Sequence, residues 1–395
     1  MVSFSFLFAI DTMGDCLLRN MKISSVGIWC LGFCLLLGCA GSRSGAGNPR
    51  AKGIGDRPRN LILMIGDGMG LSQITYAHMA LNRTLAVETF PVTGLIRTPS
   101  ASDDVTDSGA AATAYATGYK TYNGAIGVDV DTVPRPTILE DAHAAGLKTG
   151  LVVTVELVHA TPAAFYAHQY TRRYSERIAD DLTQADVDLL IGGGIQYFLE
   201  RRDQRNLLKV MKERQYMVRS GDFRTDFYIA PDDKLLYFTA KDRPATRELG
   251  REYLPEATDY ACRFLRDRGK KGFFMMVEGS QIDLAGHSNN LPLLLSEMDD
   301  FDQAVAKALE FAKSDGKTLV IVTGDHETGG LALKTGREPG SIDPSFASGN
   351  HTATMIPVFA YGPGASNFAG VYENTDLYLK MMQALDLESS DQADP

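Results

Sequence analysis

The sequence predicts an α/β fold in which a largely parallel central sheet is flanked by helices on both faces. Two observations support this fold class. Short apolar runs alternate along the chain with longer stretches of helical character, as they do in parallel-sheet proteins. The runs are apolar throughout rather than at every second residue, which is typical of strands that are buried on both faces.

The apolar runs are predicted to be buried strands, and the segments between them are predicted to be helices. The strands are Asn60–Asp67, Lys148–Leu157, Val187–Gly192, Gly272–Gly279, Lys317–Gly324 and Ile356–Gly362. The helices are Leu71–Leu81, Ser108–Thr117, Thr137–Ala145, Glu256–Arg268, Leu291–Lys313 and Asp376–Leu385. Residues 202–254 are polar with mixed signals, and we expect them to form an excursion from the sheet.

Composition and charge exclude several classes of protein. The chain has 395 residues, of which 44% are hydrophobic, so it can bury a sizeable core and is neither wholly disordered nor a multi-span membrane protein. A formal net charge of −10 argues against a nucleic-acid partner, because nucleic-acid binders normally present a basic patch. Only Cys262 lies outside the N-terminal region, so the body contains neither a disulfide framework nor a CxxC zinc knuckle.

The N-terminal region has the features of an export signal. Met21 and Lys22 precede a mostly apolar run, residues 23–38, which suits a secretory signal and is short for a membrane span. The run ends in Leu36-Leu37-Gly38-Cys39, which resembles the lipobox of bacterial lipoproteins. A plain cleaved signal with an incidental cysteine is the alternative.

These features predict the organisation of the chain. We expect residues 1–38 to be a leader whose true start is Met21, residues 39–60 a flexible tether and residues 61–395 a single domain. The protein would then be exported to the periplasm and anchored in the membrane through a lipid on Cys39.

Unusual residues follow the predicted strands at the edge where ligands bind in open α/β sheets. Asp67 follows the first strand in a Gly-Asp-Gly turn, Glu278 ends a later strand, and Asp325-His326 follows the next one. One strand-end aspartate is usually a turn or cap residue. Several such residues together indicate a shared site.

Two further histidines and an aspartate extend this set of candidate site residues. Asp283 and His287 are four residues apart, so on a helical turn both would lie on one face and could bind the same metal ion. His351 lies just before a predicted strand. Imidazole combined with carboxylate suits zinc, whereas an all-oxygen set suits magnesium. By contrast, His78 and His143 lie within helices and are better explained as structural residues.

Ser108 begins a helix of small residues and allows two interpretations. Serine is a favoured helix N-cap, which is the structural interpretation. The functional interpretation is a nucleophile at a helix N-terminus, where exposed N–H groups favour phosphate oxygens. The chain has no G-x-S-x-G elbow, and a serine activated by a metal explains both Ser108 and the acidic strand ends.

In order along the chain, these motifs resemble the alkaline phosphatase family. The resemblance covers roughly residues 60–387 and is highly specific when its motifs are taken jointly. The motifs are Asp67–Gly70, Thr106–Ala110, His159–Ala164, Gly192–Gly194, Glu278–His287 and Thr323–Gly329. The resemblance implies hydrolysis of phosphate monoesters to alcohol and inorganic phosphate through a phosphoserine intermediate, with two Zn²⁺ ions and one Mg²⁺ ion as cofactors.

The resemblance also implies a role for each site residue. Ser108 would be the nucleophile, Arg172 would grip two phosphoryl oxygens, and Asp107 would orient Arg172. The implied metal ligands are Asp283, His287 and His351 for the first zinc, Asp67, Asp325 and His326 for the second, and Asp67, His159, Thr161 and Glu278 for magnesium.

The chain departs from the family pattern at two points. His159 stands where some bacterial members have aspartate, which puts the affinity of the third metal site in question. The stretch from His326 to His351 is short, whereas larger members insert a surface subdomain there, so the family's homodimer is left open.

The same motifs allow two other functions. One is a phosphodiesterase or phosphonate hydrolase of the same superfamily; Arg172 and the complete third metal set favour monoesters over these substrates. The other is a catalytically inactive phosphate- or metal-binding surface lipoprotein, against which the intact nucleophile and ligand set argue. A sulfatase is disfavoured because the chain has no C-x-P-x-R motif.

Overall fold

The computed structural model of the protein describes residues 57–338 and 341–390. The predicted leader and most of the predicted tether lie outside the described residues. The body begins slightly before residue 61, because the N–H groups of Arg59 and Asn60 both donate hydrogen bonds to Lys317 O. Residues 57–60 therefore belong to the folded body rather than to the tether.

Strands and helices alternate along much of the described chain, although several strands follow one another directly after the longest helix. The strands are β1 (Asn60–Gly66), β2 (Val92–Arg97), β3 (Lys148–Glu156), β4 (Leu189–Gly193), β5 (Tyr216–Ser220), β6 (Lys234–Phe238), β7 (Phe273–Gly279), β8 (Thr318–Gly324), β9 (Glu327–Thr328), β10 (Leu331–Thr335), β11 (Ile342–Phe346), β12 (His351–Thr352), β13 (Ile356–Tyr361) and β14 (Gly370–Glu373). The helices are α1 (Leu71–Leu81), α2 (Ser108–Thr117), α3 (Ile138–Ala144), α4 (Ala160–Ala163), α5 (Ser175–Gln184), α6 (Gln196–Leu199), α7 (Leu207–Glu213), α8 (Tyr253–Arg268), α9 (Gln281–His287), α10 (Leu291–Asp315) and α11 (Asn374–Leu385).

Within the described ranges, ten strands form one sheet in the order β14-β2-β13-β8-β1-β7-β3-β4-β6-β5. Strand β13 runs antiparallel to both of its neighbours, and the other pairs in this sheet are parallel. The hairpin β10–β11 and the short pair β9–β12 lie outside this sheet. The predicted α/β class with a largely parallel central sheet is confirmed.

Helices cover both faces of the sheet. Alternate residues of β1 point to opposite faces, so Leu61 and Leu63 belong to one apolar cluster while Ile62 and Met64 belong to the other. Helices α2, α3, α5 and α11 pack on the first face, and α1, α8 and α10 pack on the second. Each fully buried side chain of this size stabilises the fold by about 1.5–3 kcal/mol.

Local sequence explains where the long helices begin and end. The Asn290 side chain accepts the N–H of Leu293 at the start of α10, and Gly316 ends this helix in the left-handed conformation with φ 69°. Helix α8 begins at Tyr253, earlier than predicted. Its proline, Pro255, lies in the first turn, where the missing N–H costs no hydrogen bond.

The prediction that residues 202–254 leave the sheet is wrong for two segments. Strands β5 and β6 extend the sheet beyond β4, and Leu235–Phe238 are fully or almost fully buried. These strands have only five residues each and lie between polar segments, so their apolar signal is short.

Candidate active site

The candidate site lies at the carboxyl edge of the sheet, where the central strands β8, β1 and β7 end side by side. The strand register aligns the glycines that end these three strands. Asp67 and Asp325 directly follow such glycines, and Glu278 directly precedes one. Because parallel neighbours end together, the register alone brings these three carboxylates to one place.

The first group of candidate metal ligands is Asp283, His287 and His351. Helix α9 places Asp283 and His287 one turn apart, with His287 Nε2 3.2 Å from Asp283 Oδ2. His351 enters from β12, and its Nε2 lies 3.5 Å from Asp283 Oδ1 and 3.1 Å from His287 Nε2. One ligand atom from each residue lies within 4.8 Å of the others, close enough to hold one ion.

The second group is Asp67, Asp325 and His326, all of which are buried. His326 Nε2 lies 3.2 Å from Asp325 Oδ2 and 3.6 Å from Asp67 Oδ1. The Ser108 hydroxyl oxygen lies 3.3 Å from the same nitrogen. The second group is therefore a buried set of two carboxylates and one imidazole with a serine hydroxyl beside it.

The third group is Asp67, His159 and Glu278, which shares Asp67 with the second group. His159 immediately precedes α4, and Thr161 lies within that helix. Thr161 and Glu278 are both fully buried. The third group thus gathers carboxylate, hydroxyl and imidazole donors around one position.

Asp107, rather than Ser108, is the N-cap of α2. Its Oδ1 accepts the N–H groups of Ala110 and Gly124, each at 2.9 Å. The interpretation of Ser108 as a helix cap is therefore wrong, and its hydroxyl faces His326 instead. Ser108 is only 2% exposed, so its hydroxyl is confined to the site.

Arg172 is held by two side chains and by its own backbone. Its Nη1 donates to Asp107 Oδ2 at 2.8 Å, and its Nη2 lies 3.2 Å from His159 Nε2. Its backbone N–H donates to Gly124 O. The structure thus brings together all of the residues that the sequence predicted for the site.

A family model described as alkaline phosphatase matches residues 58–344. The chain belongs to the alkaline phosphatase family. It is 35% identical to alkaline phosphatase 3 of Bacillus subtilis, in an alignment that covers 85% of this chain and 91% of the relative.

Solved structures agree with this assignment. The alkaline phosphatase of the Antarctic bacterium TAB5 shares 45% identity and superposes with a TM-score of 0.81 over 84% of this chain and 99% of that one. A histidine-to-aspartate variant of the TAB5 enzyme, solved with magnesium bound, gives a TM-score of 0.80 at the same identity and coverage. The protein is therefore a metal-dependent enzyme that hydrolyses phosphate monoesters, and the family mechanism proceeds through a phosphoserine.

The carboxylates of the site are buried close together, so their negative charges repel one another. Burial raises the pKa of Asp67 well above its ordinary value, and the negative charges of Asp325, Asp283 and Glu278 raise it further. Burial also raises the pKa of Glu278, to about 8. A nearby cation would reverse these shifts because it favours the ionised carboxylates.

Buried oxygens that lack a hydrogen-bond partner also indicate that cations bind among these carboxylates. Both carboxylate oxygens of Asp67 and of Glu278, together with Asp325 Oδ2 and Thr161 Oγ1, are buried without a hydrogen-bond partner. Buried polar atoms in native proteins nearly always have a partner. The donor types and their crowding fit divalent metal ions, as the phosphatase family requires.

Two of the histidines are neutral and can therefore act as ligands. Burial lowers the pKa of His326, and burial together with the Arg172 guanidinium lowers the pKa of His159 to about 3. In contrast, the hydrogen bond to Asp283 raises the pKa of His287 to about 9. Burial opposes ionisation of Asp283, but the hydrogen bond from His287 and the charges of His326, His287 and His351 together outweigh it and hold the pKa of that carboxyl below its usual range.

One residue of the site was missed by the sequence prediction. Thr328 contacts both Asp283 and His326. The signal that could have identified it is its position two residues after His326. Without the position of α9, however, that spacing does not connect Thr328 to Asp283.

Proposed function

We propose that Ser108 is the nucleophile that receives the phosphoryl group from a phosphate monoester, and that water then hydrolyses the phosphoserine. One observation carries this assignment: the Ser108 hydroxyl lies 3.3 Å from His326 Nε2 in the second group, at the first residue of α2. The N–H groups of the first helical turn favour negative charge beside Ser108. A hydroxyl placed here can attack phosphorus next to a cation-binding group.

Arg172 is proposed to bind two oxygens of the phosphoryl group. A guanidinium is planar and presents parallel N–H donors, which match a tetrahedral dianion. Asp107 and His159 each hold one end of the guanidinium, so its plane is set before the substrate arrives. Such preorganisation matters because phosphoryl transfer depends mainly on positioning and electrostatics.

We infer that the first and second groups hold zinc and that the third group holds magnesium. The first two groups combine imidazole nitrogen with carboxylate oxygen, ligands that zinc accepts. In the third group, Asp67, Glu278 and Thr161 offer oxygen, which suits magnesium. Magnesium in the TAB5 variant supports this inference. Bound cations would lower the pKa of the attacking hydroxyl and offset negative charge on the leaving oxygen.

The nucleophile is tested with the Ser108→Ala variant. Wild-type enzyme mixed with labelled aryl phosphate at mildly acidic pH should retain label on Ser108, whereas the variant should retain none and lose most turnover. Ser296→Ala, in α10, is the matched control and should behave as wild type. Label on another residue would contradict the assignment.

The substrate class is tested separately. Aryl monoesters should be hydrolysed much faster than aryl diesters when zinc and magnesium are present, because a diester lacks the second negative charge that Arg172 and the cations bind. Faster diester hydrolysis would favour the phosphodiesterase alternative.

We propose that the protein is exported to the periplasm and anchored in the membrane by a lipid on Cys39. The proposal rests on the Leu36–Cys39 motif and on the apolar run before it, which lie outside the described residues. Across residues 57–338 and 341–390, no helix is both long and apolar enough to cross a membrane.

The Cys39→Ser variant should move the protein from the membrane fraction to the soluble periplasmic fraction. Wild-type protein found soluble in the periplasm would contradict the anchor. The homodimer that the sequence leaves open is tested by light scattering of the purified enzyme.

A further inference from the structure

Thr328 touches a ligand of both the first and the second group. Its hydroxyl donates to Asp283 Oδ1 at 2.5 Å and lies 3.2 Å from His326 Nδ1. Asp283 belongs to the first group and His326 to the second. Thr328 itself is fully buried, so water does not compete for these contacts.

The hydrogens of this arrangement can be assigned from chemistry alone. A threonine hydroxyl has one hydrogen, and an ionised carboxylate only accepts, so that hydrogen points to Asp283. Thr328 Oγ1 must then accept a hydrogen from His326, which places a proton on His326 Nδ1. The other ring nitrogen, Nε2, keeps its lone pair and faces Asp325 Oδ2 at 3.2 Å. Thr328 thus selects the His326 tautomer that can bind a metal in the second group.

Close packing fixes the Thr328 side chain in this position. A Cβ added to Gly68 would lie 2.9 Å from Thr328 Oγ1, and one added to Gly286 would lie 2.8 Å from Thr328 Cγ2. The Thr328 backbone N–H donates to Gly68 O at 3.2 Å. Gly68 follows Asp67 of the second group, and Gly286 precedes His287 of the first group. Thr328 therefore packs between the turn after β1 and helix α9.

The backbone of Thr328 extends the connection to the last ligand of the first group. Thr328 pairs with His351 in the antiparallel register of β9 and β12. Thr328 therefore contacts Asp283 and pairs with His351 of the first group, and it also contacts His326 of the second group.

We propose that Thr328 is a positioning residue that couples the first and second groups, orienting the Asp283 carboxylate and setting the His326 tautomer with a single hydroxyl. This inference rests on the proposed function, because it takes both groups to hold zinc. Residues that orient metal ligands typically contribute about 10–100-fold to metal affinity. Loss of this hydroxyl should therefore weaken zinc binding at both groups rather than at one.

The test compares two variants of the full chain. Thr328→Val keeps the shape of the side chain and removes the hydroxyl, whereas Thr328→Ser keeps the hydroxyl and removes the methyl group. Zinc affinity is measured on metal-free protein by competition with a chelator, and thermal unfolding of the metal-free variants identifies any that fail to fold. Thr183→Val, a buried threonine in α5 that donates to Asp180 O, is the matched control.

We expect Thr328→Val to lose about 10–100-fold in zinc affinity at both the first and the second group, and Thr328→Ser and Thr183→Val to stay close to wild type. Wild-type affinity in Thr328→Val would overturn the inference. Equal losses in the Val and Ser variants would also overturn it, because the methyl group and not the hydroxyl would then matter. Failure of the wild-type chain to bind zinc would instead overturn the proposed function, and the inference with it.

Discussion

Asp107 Oδ2 accepts a hydrogen bond from Arg172 Nη1 at 2.8 Å while Asp107 Oδ1 caps the helix that begins with Ser108. Burial opposes ionisation of Asp107, but the Arg172 charge and the N–H groups of Ala110 and Gly124 outweigh it and lower the pKa of this carboxyl. One carboxylate therefore sets both the orientation of the guanidinium proposed to bind phosphate and the position of the proposed nucleophile.

The two roles of Asp107 can be separated by substitution. Asp107→Asn keeps an oxygen that can cap α2 but removes the charge beside Arg172, whereas Asp107→Ala removes both. Because hydrogen bonds to charged groups contribute about 1.5–3 kcal/mol, KM for an aryl phosphate should rise about tenfold or more in both variants. Asp107→Ala should also be less stable than Asp107→Asn by about 1 kcal/mol in urea unfolding. An unchanged KM in Asp107→Asn would show that the charge does not orient Arg172.

Metal removal should make stability strongly dependent on pH. In the metal-free protein the pKa of Glu278 is raised to about 8, and that of His287 to about 9, so the native state holds protons that the unfolded chain releases. Their contribution is present in full below the ordinary pKa values and is lost as pH rises through the raised ones. Below about pH 6.5 the lowered pKa values of His159 and His326 act in the opposite direction, so the thermal midpoint of metal-free protein should fall between about pH 7 and pH 9.

Metal-loaded protein serves as the comparison, and its midpoint should change much less over this range because cations stabilise the ionised carboxylates. In the Glu278→Gln variant, which cannot titrate at this position, the metal-free slope should be shallower. A metal-free midpoint that rises with pH would contradict the assignment of these shifts.

The third group should bind magnesium more tightly when His159 is replaced by aspartate. The imidazole is neutral and its Nε2 already meets Arg172, so it adds no negative charge to the group. A carboxylate about 5 Å from the ion would contribute roughly 3 kcal/mol for each unit of charge on the ion at an effective dielectric constant near 20, and less after screening. His159→Asp should lower the magnesium concentration for half-maximal activity at least severalfold, whereas the neutral His159→Asn should not. Identical magnesium titrations would mean that His159 does not set this affinity.

A buried ion pair network should make a single arginine important for stability. Arg251 is about as buried as its partners Glu297 and Asp300, and its Nη1 lies 2.6 Å from Asp300 Oδ2. Arg251→Met would leave Glu297 without its cation and Asp300 with only Arg247, whose Nε lies 3.7 Å away, and should lower the free energy of unfolding by about 3–5 kcal/mol. Arg263→Met removes an exposed pair with Asp259 on one helix and should cost only about 0.3–0.5 kcal/mol. Similar losses in urea unfolding of the two variants would contradict this prediction.

The centre of the fold could be predicted from sequence because its strands are apolar at every position. Strands β1, β7 and β8 are buried along their full length, and each was predicted within about a residue or two of its bounds. Strand β2 was missed because only two of its six residues are buried. Strands β5 and β6 were missed because short runs at the sheet edge carry a weak apolar signal.

The site was predictable to the extent that its ligands follow strands or share a helical turn. Asp67 and Asp325 meet because their strands are neighbours in register, and Asp283 and His287 meet because α9 has a helical period. The contact of Thr328 with Asp283 depends on how β9 packs against α9. That packing is set by side chains distant in sequence, including the space left by Gly286, and no local pattern encodes it.

The scatter of the ligands along the chain also imposes an order of assembly during synthesis. Protein is made from its N-terminus, so Asp67 and Ser108 emerge long before Asp325 and His326 complete the second group. The first group is complete only later, when His351, which follows the β10–β11 hairpin, has been synthesised. On a growing chain, the second group, which lies next to the proposed nucleophile Ser108, is therefore complete before the first group.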